Sequence, residues 1–326
     1  MIKMSELIQK ITLAVKQYDM KLQSVIVALS GGADSVSLLL ALREMGVGVR
    51  ACHLNHGLRG EESDNDQQFC ADLCRKLDVD LFTRKINCAE LAEKHESVEE
   101  CARRARYAFF EEALEYFGGN SVIATAHTAD DNLETVLLNL VRGTGLRGLC
   151  GIPPVRGNII RPLILSERRD VLEYLSEKGQ DYVTDKTNFS EDYSRNRVRL
   201  NIIPEIKKLN PSLVGTVSRM TGNLRLDSDY LDCRARNILE QCRCKNGYDA
   251  ARLAEYPPPI KSRAVKIILS EGGIEPSALR INTAVELLNK RSGRFNPCKN
   301  RFFTIRKGIC FVEYKEQNYN HRNEKR

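Results

Sequence analysis

The sequence predicts an α/β fold: a Rossmann-like parallel sheet covered by helices on both faces, followed by a smaller, mainly helical C-terminal domain. Three observations carry this. Between Gln23 and Ala126, short apolar runs alternate with amphipathic stretches of helical period, the pattern of βαβ units. The first run, Val25 to Leu29, empties into a glycine turn that opens a helix. The length of 326 residues is more than one core ordinarily serves, which favours two domains.

Taken in order, strands are expected near 23–29, 48–54, 80–86 and 121–126, with helices near 34–45, 62–77, 98–117 and 130–141. Each strand then delivers its loop to the same sheet edge, so 30–35, 55–60 and 127–131 converge where open α/β sheets bind ligands. After Gly151-Ile-Pro-Pro154 the pattern loosens into a strand-like Asn158 to Pro162, a helix near 167–178 and a polar arm from Thr184 to Arg199. A helical stretch over 212–244, a triple-proline break at 257–259 and a strand-like Arg301 to Tyr314 complete the chain. The boundary is placed near 212, giving domains 1–211 and 212–326.

Composition narrows the function classes. Met1 to Met20 interleave apolar residues with Lys3, Glu6, Lys10 and Lys16, unlike a secretion signal, and no apolar run reaches bilayer-spanning length, so a cytoplasmic protein is expected. The eleven cysteines are odd in number and several fall inside apolar patterns, which suits reduced core thiols. Cys70/Cys74 and Cys242/Cys244 lack C-x-x-C spacing, and no cysteine is assigned as a metal ligand. Up to Gly215 the chain has 28 Lys+Arg against 31 Asp+Glu; beyond it, 22 against 12. A basic tail on a near-neutral front suits a polyanionic partner, with a merely soluble cationic surface as the lesser alternative.

Chemistry is concentrated in four segments. Ser30-Gly31-Gly32-Ala33-Asp34-Ser35 places backbone N–H groups and a helix N-terminus around one small volume suited to phosphate. Gly31 and Gly32 allow close approach, Ser30 and Ser35 add hydroxyls, and Asp34 makes sense there as a Mg²⁺ ligand; an ordinary strand-to-helix turn is the alternative. The loop is neither G-x-x-x-x-G-K-[ST] nor G-x-G-x-x-G. His53-Leu-Asn55-His56-Gly-Leu-Arg59 ends the second strand; the two histidines read as hydrogen-bonded loop residues near the nucleotide rather than as a metal pair. Ser97-Val-Glu-Glu-Cys-Ala-Arg103-Arg104-Ala-Arg106-Tyr107 opens with a helix cap. It sets Arg103 and Arg106 on one face, within reach of phosphate or paired with Glu99 and Glu100. Ala124 to Thr135 brings His127, Asp130, Asp131 and Glu134 to a helix start, where acids also offset the helix dipole.

The hexapeptide resembles the pyrophosphate loop (PP-loop) of the ATP pyrophosphatase superfamily. The combination is more specific. His-x-Asn-His-Gly-Leu-Arg, Glu-Glu-x-Ala-Arg-x-x-Arg-Tyr and Asp-Asp-x-x-Glu-Thr followed by Arg142-Gly-Thr-Gly-Leu-Arg147-Gly-Leu are similar to the tRNA(Ile)-lysidine synthetase family, from Ser30 to about Pro211. Asp185-x-x-Asn188 and Tyr193-Ser-Arg195-Asn-Arg197-Val-Arg199 extend the resemblance.

That resemblance implies a PP-loop fold and a ligase that joins free lysine to the wobble cytidine of a CAU-anticodon isoleucine tRNA, with ATP and Mg²⁺. It implies nucleotide contacts from Ser30, Gly31, Gly32, Ala33, Asp34, Ser35, His53, Asn55, His56 and His127. Catalysis would fall to Asp34, Asp131, Arg103 and Arg106. Lysine and tRNA would be held by Asp130, Asp131, Glu134, Arg142, Arg147, Arg195, Arg197 and Arg199. Residues 212–326 become a basic tRNA-binding domain, and a homodimer is left open. Longer family members carry a further domain, so tRNA selection is open too. The alternatives are a tRNA thiolase or an amidating ligase on the same fold, and a nucleotide-binding module without chemistry.

Overall fold

The computed structural model describes residues 4–57, 60–91, 96–118, 120–184 and 193–314, which divide into two compact units, Met1–Leu224 and Arg225–Arg326. The first unit runs α1 (Glu6–Gln17), β1 (Val25–Ala28), α2 (Ala33–Glu44), β2 (Val49–Asn55), α3 (Glu61–Lys76), β3 (Leu81–Lys85), α4 (Cys88–Leu91), α5 (Val98–Phe117), β4 (Val122–Ala124) and α6 (Ala129–Val141). It continues through α7 (Leu146–Leu149), β5 (Val155–Arg156), β6 (Ile159–Ile160), α8 (Arg168–Lys178), α9 (Tyr193–Arg197), a π-helical turn (Val198–Ile202) and α10 (Ile203–Leu209) into α11 (Leu213–Cys242).

Six strands form one sheet in the order β3-β2-β1-β4-β6-β5, parallel except for β5 at the edge. The order reverses between β1 and β4, so the loops leaving these strands part and open a crevice at their carboxyl ends. Alternation along β1 explains the two-sided cover. Val25 and Val27 pack with Ile11, Leu38, Leu39, Leu42 and Tyr174 from α1, α2 and α8, while Ile26 joins Phe109, Phe110 and Ala113 of α5 on the other face. Each of these fully buried aliphatic side chains contributes about 2 kcal/mol of transfer free energy. The α5 helix starts at a capping box, Ser97 with Glu100, as the sequence indicates.

Two features differ from the sequence pattern. The polar arm is helical from Tyr193 onward, through α9 and the π turn, because Val198 and Ile203 pack on Ala129 and Leu133 of α6. Asp185 and Asn188 lie outside the described residues. The division between units falls inside α11 rather than near 212, because Leu213 and Val214 join that same apolar cluster.

The second unit contains the end of α11, β7 (Arg243–Cys244), β8 (Gly247–Asp249), α12 (Ala250–Glu255), α13 (Pro258–Glu271), α14 (Ala278–Lys290), β9 (Gly293–Cys298), β10 (Arg301–Arg306) and β11 (Ile309–Tyr314). Its helices pack with an antiparallel sheet in the order β7-β8-β11-β10-β9. The triple proline is a helix start, with Pro257 as cap and Pro258 and Pro259 in the first turn, where no backbone N–H is needed. Residues 225–326 carry 21 Lys+Arg against 12 Asp+Glu. All eleven cysteines are free thiols, eight of them buried, and no described helix is long and apolar enough to cross a membrane.

Candidate active site

The loop after β1 is built from its own hydroxyls. Ser35 Oγ accepts from Ser30 N at 3.1 Å and donates to Gly32 O at 3.0 Å, and Ser30 Oγ lies 3.1 Å from Ser35 Oγ. Gly31 sits at φ +90°, and a Cβ there would stand 3.2 Å from Val183 Cγ2 and 3.4 Å from Cys70 Sγ. The turn therefore requires glycine on both backbone and packing grounds. Val183 N donates to Gly31 O at 2.9 Å, tying the loop to the segment after α8.

Asp34 occupies the first turn of α2, and its Oδ1 is buried without a hydrogen-bond partner. Burial, together with the charge of Asp131, pushes its carboxyl up to about 6, against the opposing fields of Arg168 and Arg199. A buried carboxylate left short of donors at a phosphate-type loop fits a bridging divalent cation. Among the described residues, no group of three or more His, Cys, Asp or Glu side chains could hold a metal by itself. The arrangement therefore suits Mg²⁺, which takes one or two carboxylates and completes its shell from phosphates and water.

At the end of β2, His53 is buried. Its Nδ1 donates to Leu29 O at 2.8 Å, which leaves Nε2 as a neutral acceptor, buried and unpaired, and burial holds its pKa below the usual range. The Asn55 amide is committed to the turn: it donates to Ser63 O, Asp64 Oδ1 and Gln67 Oε1 and accepts from Gly57 N. His56 is lowered to about 4 by burial and by Arg106, with its Nδ1 3.5 Å from Cys88 Sγ. His127, after β4, is likewise lowered to about 4, chiefly by burial, and contacts Thr125 Oγ1 at 3.0 Å. Both rings are neutral at pH 7.

The acids of α6 divide their labour. Asp131 Oδ2 closes a capping box with Thr128, accepting from its N at 2.8 Å and Oγ at 3.0 Å, while Oδ1 lies 3.7 Å from Arg199 Nη2. Asp130 Oδ2 accepts from Arg168 N at 2.8 Å, and its other oxygen faces Lys207 Nζ at 3.9 Å. Glu134 is 2% exposed and takes three guanidinium bonds: Arg199 Nε at 2.6 Å, Arg199 Nη2 at 3.0 Å and Arg195 Nε at 3.1 Å. Arg195 and Arg199, four apart on a helical segment, thus brace α6, whereas Arg197 is exposed, as are Arg142 and Arg147 near the end of α6.

On α5, the charge of Arg106 helps hold the His56 and His127 pKa values down. Arg103 instead lies over the Tyr107 ring at 5.2 Å.

A family model described as a PP-loop domain matches residues 3–206. The chain belongs to the PP-loop family. A tRNA(Ile)-lysidine synthase of Bacteroides thetaiotaomicron is 45% identical over 201 residues, covering 61% of this chain and 47% of that protein. One of Parabacteroides distasonis is 44% identical over 241 residues, covering 73% and 54%. The chain spans about half the length of these curated relatives. Among solved structures, a U34-tRNA thiolase of Methanococcus maripaludis superposes with a TM-score of 0.55 at 18% identity, over 66% of this chain and 78% of that one, a likeness of fold.

In this PP-loop domain the structure thus brings Asp34, Asp131, His127 and Arg199 to the crevice, and the charge of Arg106 acts on His127. Four participants escape sequence reasoning. Thr128 fixes Asp131, Val183 holds Gly31, Arg168 opposes the rise of the Asp34 pKa, and Arg161 acts on His127. Only Thr128 carries a signal, a capping threonine three residues before an acid.

Proposed function

We propose that this chain uses ATP and Mg²⁺ to join free L-lysine to C2 of the wobble cytidine in a CAU-anticodon isoleucine tRNA, giving lysidine. The similarity to tRNA(Ile)-lysidine synthases over 201 and 241 residues supports the substrate. The observation that carries the chemistry is the Ser30–Ser35 loop, with the unpaired Asp34 carboxylate at its helix start.

Cytosine O2 attacks the α-phosphorus of ATP and expels pyrophosphate. The lysine ε-amine then attacks C2 of the adenylated base, loses a proton and displaces AMP. The loop N–H groups and the cation that Asp34 would hold offset the charge on the departing pyrophosphate. Arg106, whose charge acts on His56 and His127, adds positive charge there. Asp131 Oδ1, with the other oxygen held in the cap, is oriented to hold the amine and accept its proton. Exposed Arg142, Arg147 and Arg197, with the basic second unit, suit tRNA phosphates in a cytoplasmic setting.

The thiolase alternative needs a reactive sulfur at the site. Cys70, the thiol beside Gly31, hydrogen-bonds to Leu29 O and is pushed up to about 12 by burial, so it is a poor nucleophile. Incubation of the chain with radiolabelled lysine, ATP and the tRNA transcript tests the reading. The expected result is ATP-dependent label in the RNA; an unlabelled RNA, or sulfur entering from a persulfide donor, rejects it.

A further inference from the structure

A second concentration of positive charge lies around Tyr107 of α5. A cleft of about 270 Å³ is lined by Glu100, Arg103, Arg104, Tyr107 and Arg156. The Arg103 and Arg156 guanidiniums lie 5.2 and 5.6 Å from the centroid of the Tyr107 ring. Next to this cleft, at the end of β6, Arg161 is 5% exposed. Its Nη1 donates to Pro153 O at 2.6 Å and its Nε is buried with no partner.

Two acids nearby, Glu100 and Glu96, are already engaged. Glu100 accepts from Ser97 N at 3.0 Å and Ser97 Oγ at 2.9 Å, and Glu96 holds Arg104 through two bonds of 2.9 and 2.8 Å. Among the described residues no carboxylate forms an ion pair with Arg156 or Arg161. Three guanidiniums around one tyrosine, one of them buried, repel each other; indeed burial and the fields of Arg156 and Arg103 hold the Arg161 pKa below its usual value. Such a cluster is completed by an anion from outside.

We propose that this cleft is a second anion site, seating a backbone phosphate of the RNA substrate against Arg103 and Arg156, with Arg161 as fixed charge behind Tyr107. The inference rests on the reading that the substrate is an RNA. ATP is the other source of the same chemistry, and the binding test below distinguishes the two.

Fluorescence anisotropy of a labelled RNA anticodon stem-loop on the full chain, repeated across a salt series, tests this. Arg156 is exposed, so R156A and R156E are expected to fold. R156A should weaken RNA binding about fivefold and reduce the slope of log K against log salt by about one, with R156E weaker still. R75E, a charge reversal at a 73% exposed side chain on α3, controls for net charge and should bind more nearly as the unmodified chain. A fluorescent ATP analogue should bind R156A unchanged. RNA binding by R156A and R156E equal to that of the unmodified chain overturns the proposal, and so does an equal loss for the ATP analogue or no RNA binding by the unmodified chain. A chain that binds RNA in this way yet incorporates no lysine sinks the lysidine reading and leaves the cleft standing.

Discussion

Two acids of the PP-loop unit meet opposite fates. Glu134 receives three guanidinium hydrogen bonds from Arg195 and Arg199, whereas Asp34 keeps an oxygen buried with none and is pushed up to about 6. Both lie within the field of Arg199, which bonds Glu134 directly and reaches Asp34 only through space. On the proposed function, the contrast separates a carboxylate that holds the fold from one whose charge is left for a ligand. Such local dissatisfaction at a site costs stability and is retained for function.

Substitutions can break the contrast from either side. The largest effect is expected for Asp34→Asn. Turnover should fall on the order of a thousandfold, while thermal denaturation at pH 7.5 shows a gain in stability of about 2 kcal/mol. The sign follows from the raised pKa. Between 3.8 and about 6 the folded chain holds the proton that the unfolded chain releases, so the ionisation cost is present above pH 6 and fades as pH falls toward 3.8. An Asp34→Asn chain that is inactive and also less stable breaks the contrast.

Glu134→Gln should do the reverse, destabilising the unit by about 3 kcal/mol in urea unfolding, because two guanidiniums lose their counter-charge. Their side chains are 30 and 40% exposed, which keeps the loss at the lower end for such pairs. Gly31→Ala is expected to cost about 2 kcal/mol, through its positive φ and the contact with Val183, and to weaken ATP-analogue binding in the same titration.

Arg199→Gln sharpens the comparison, since it removes a charge that lowers the Asp34 pKa. The acid limb of the pH–activity profile should move upward. The smallest effect concerns His56 and His127, both lowered from 6.5 to about 4. The stability they contribute is complete above pH 6.5 and is lost as pH falls toward 4, because the unfolded chain takes up protons first. His127→Asn should therefore recover about 1 kcal/mol of the acid loss near pH 5.5.

How much of this could be read from the sequence follows from the range of the interactions. The strands beginning at Val25, Val49, Leu81 and Val122 and the helices between them are local periodicities, and the glycine loop is a local chemical pattern; both are legible. The helical course of Arg195 to Arg199 is not, because the apolar side chains that stabilise it, Ala129 and Leu133, lie some sixty residues earlier. For the same reason Arg195 and Arg199 read as phosphate ligands although Glu134 takes both. The antiparallel sheet of the second unit is obscured by the shortness of β7 and β8, two and three residues. Asp34 is legible as a residue type; that its Oδ1 is buried without a partner is not.

The most direct test is the fate of α-labelled ATP incubated with the chain, the CAU-anticodon tRNA and lysine. Release of labelled AMP together with pyrophosphate is predicted, because the proposed reaction breaks the bond between the α- and β-phosphates. Labelled ADP with inorganic phosphate would contradict it.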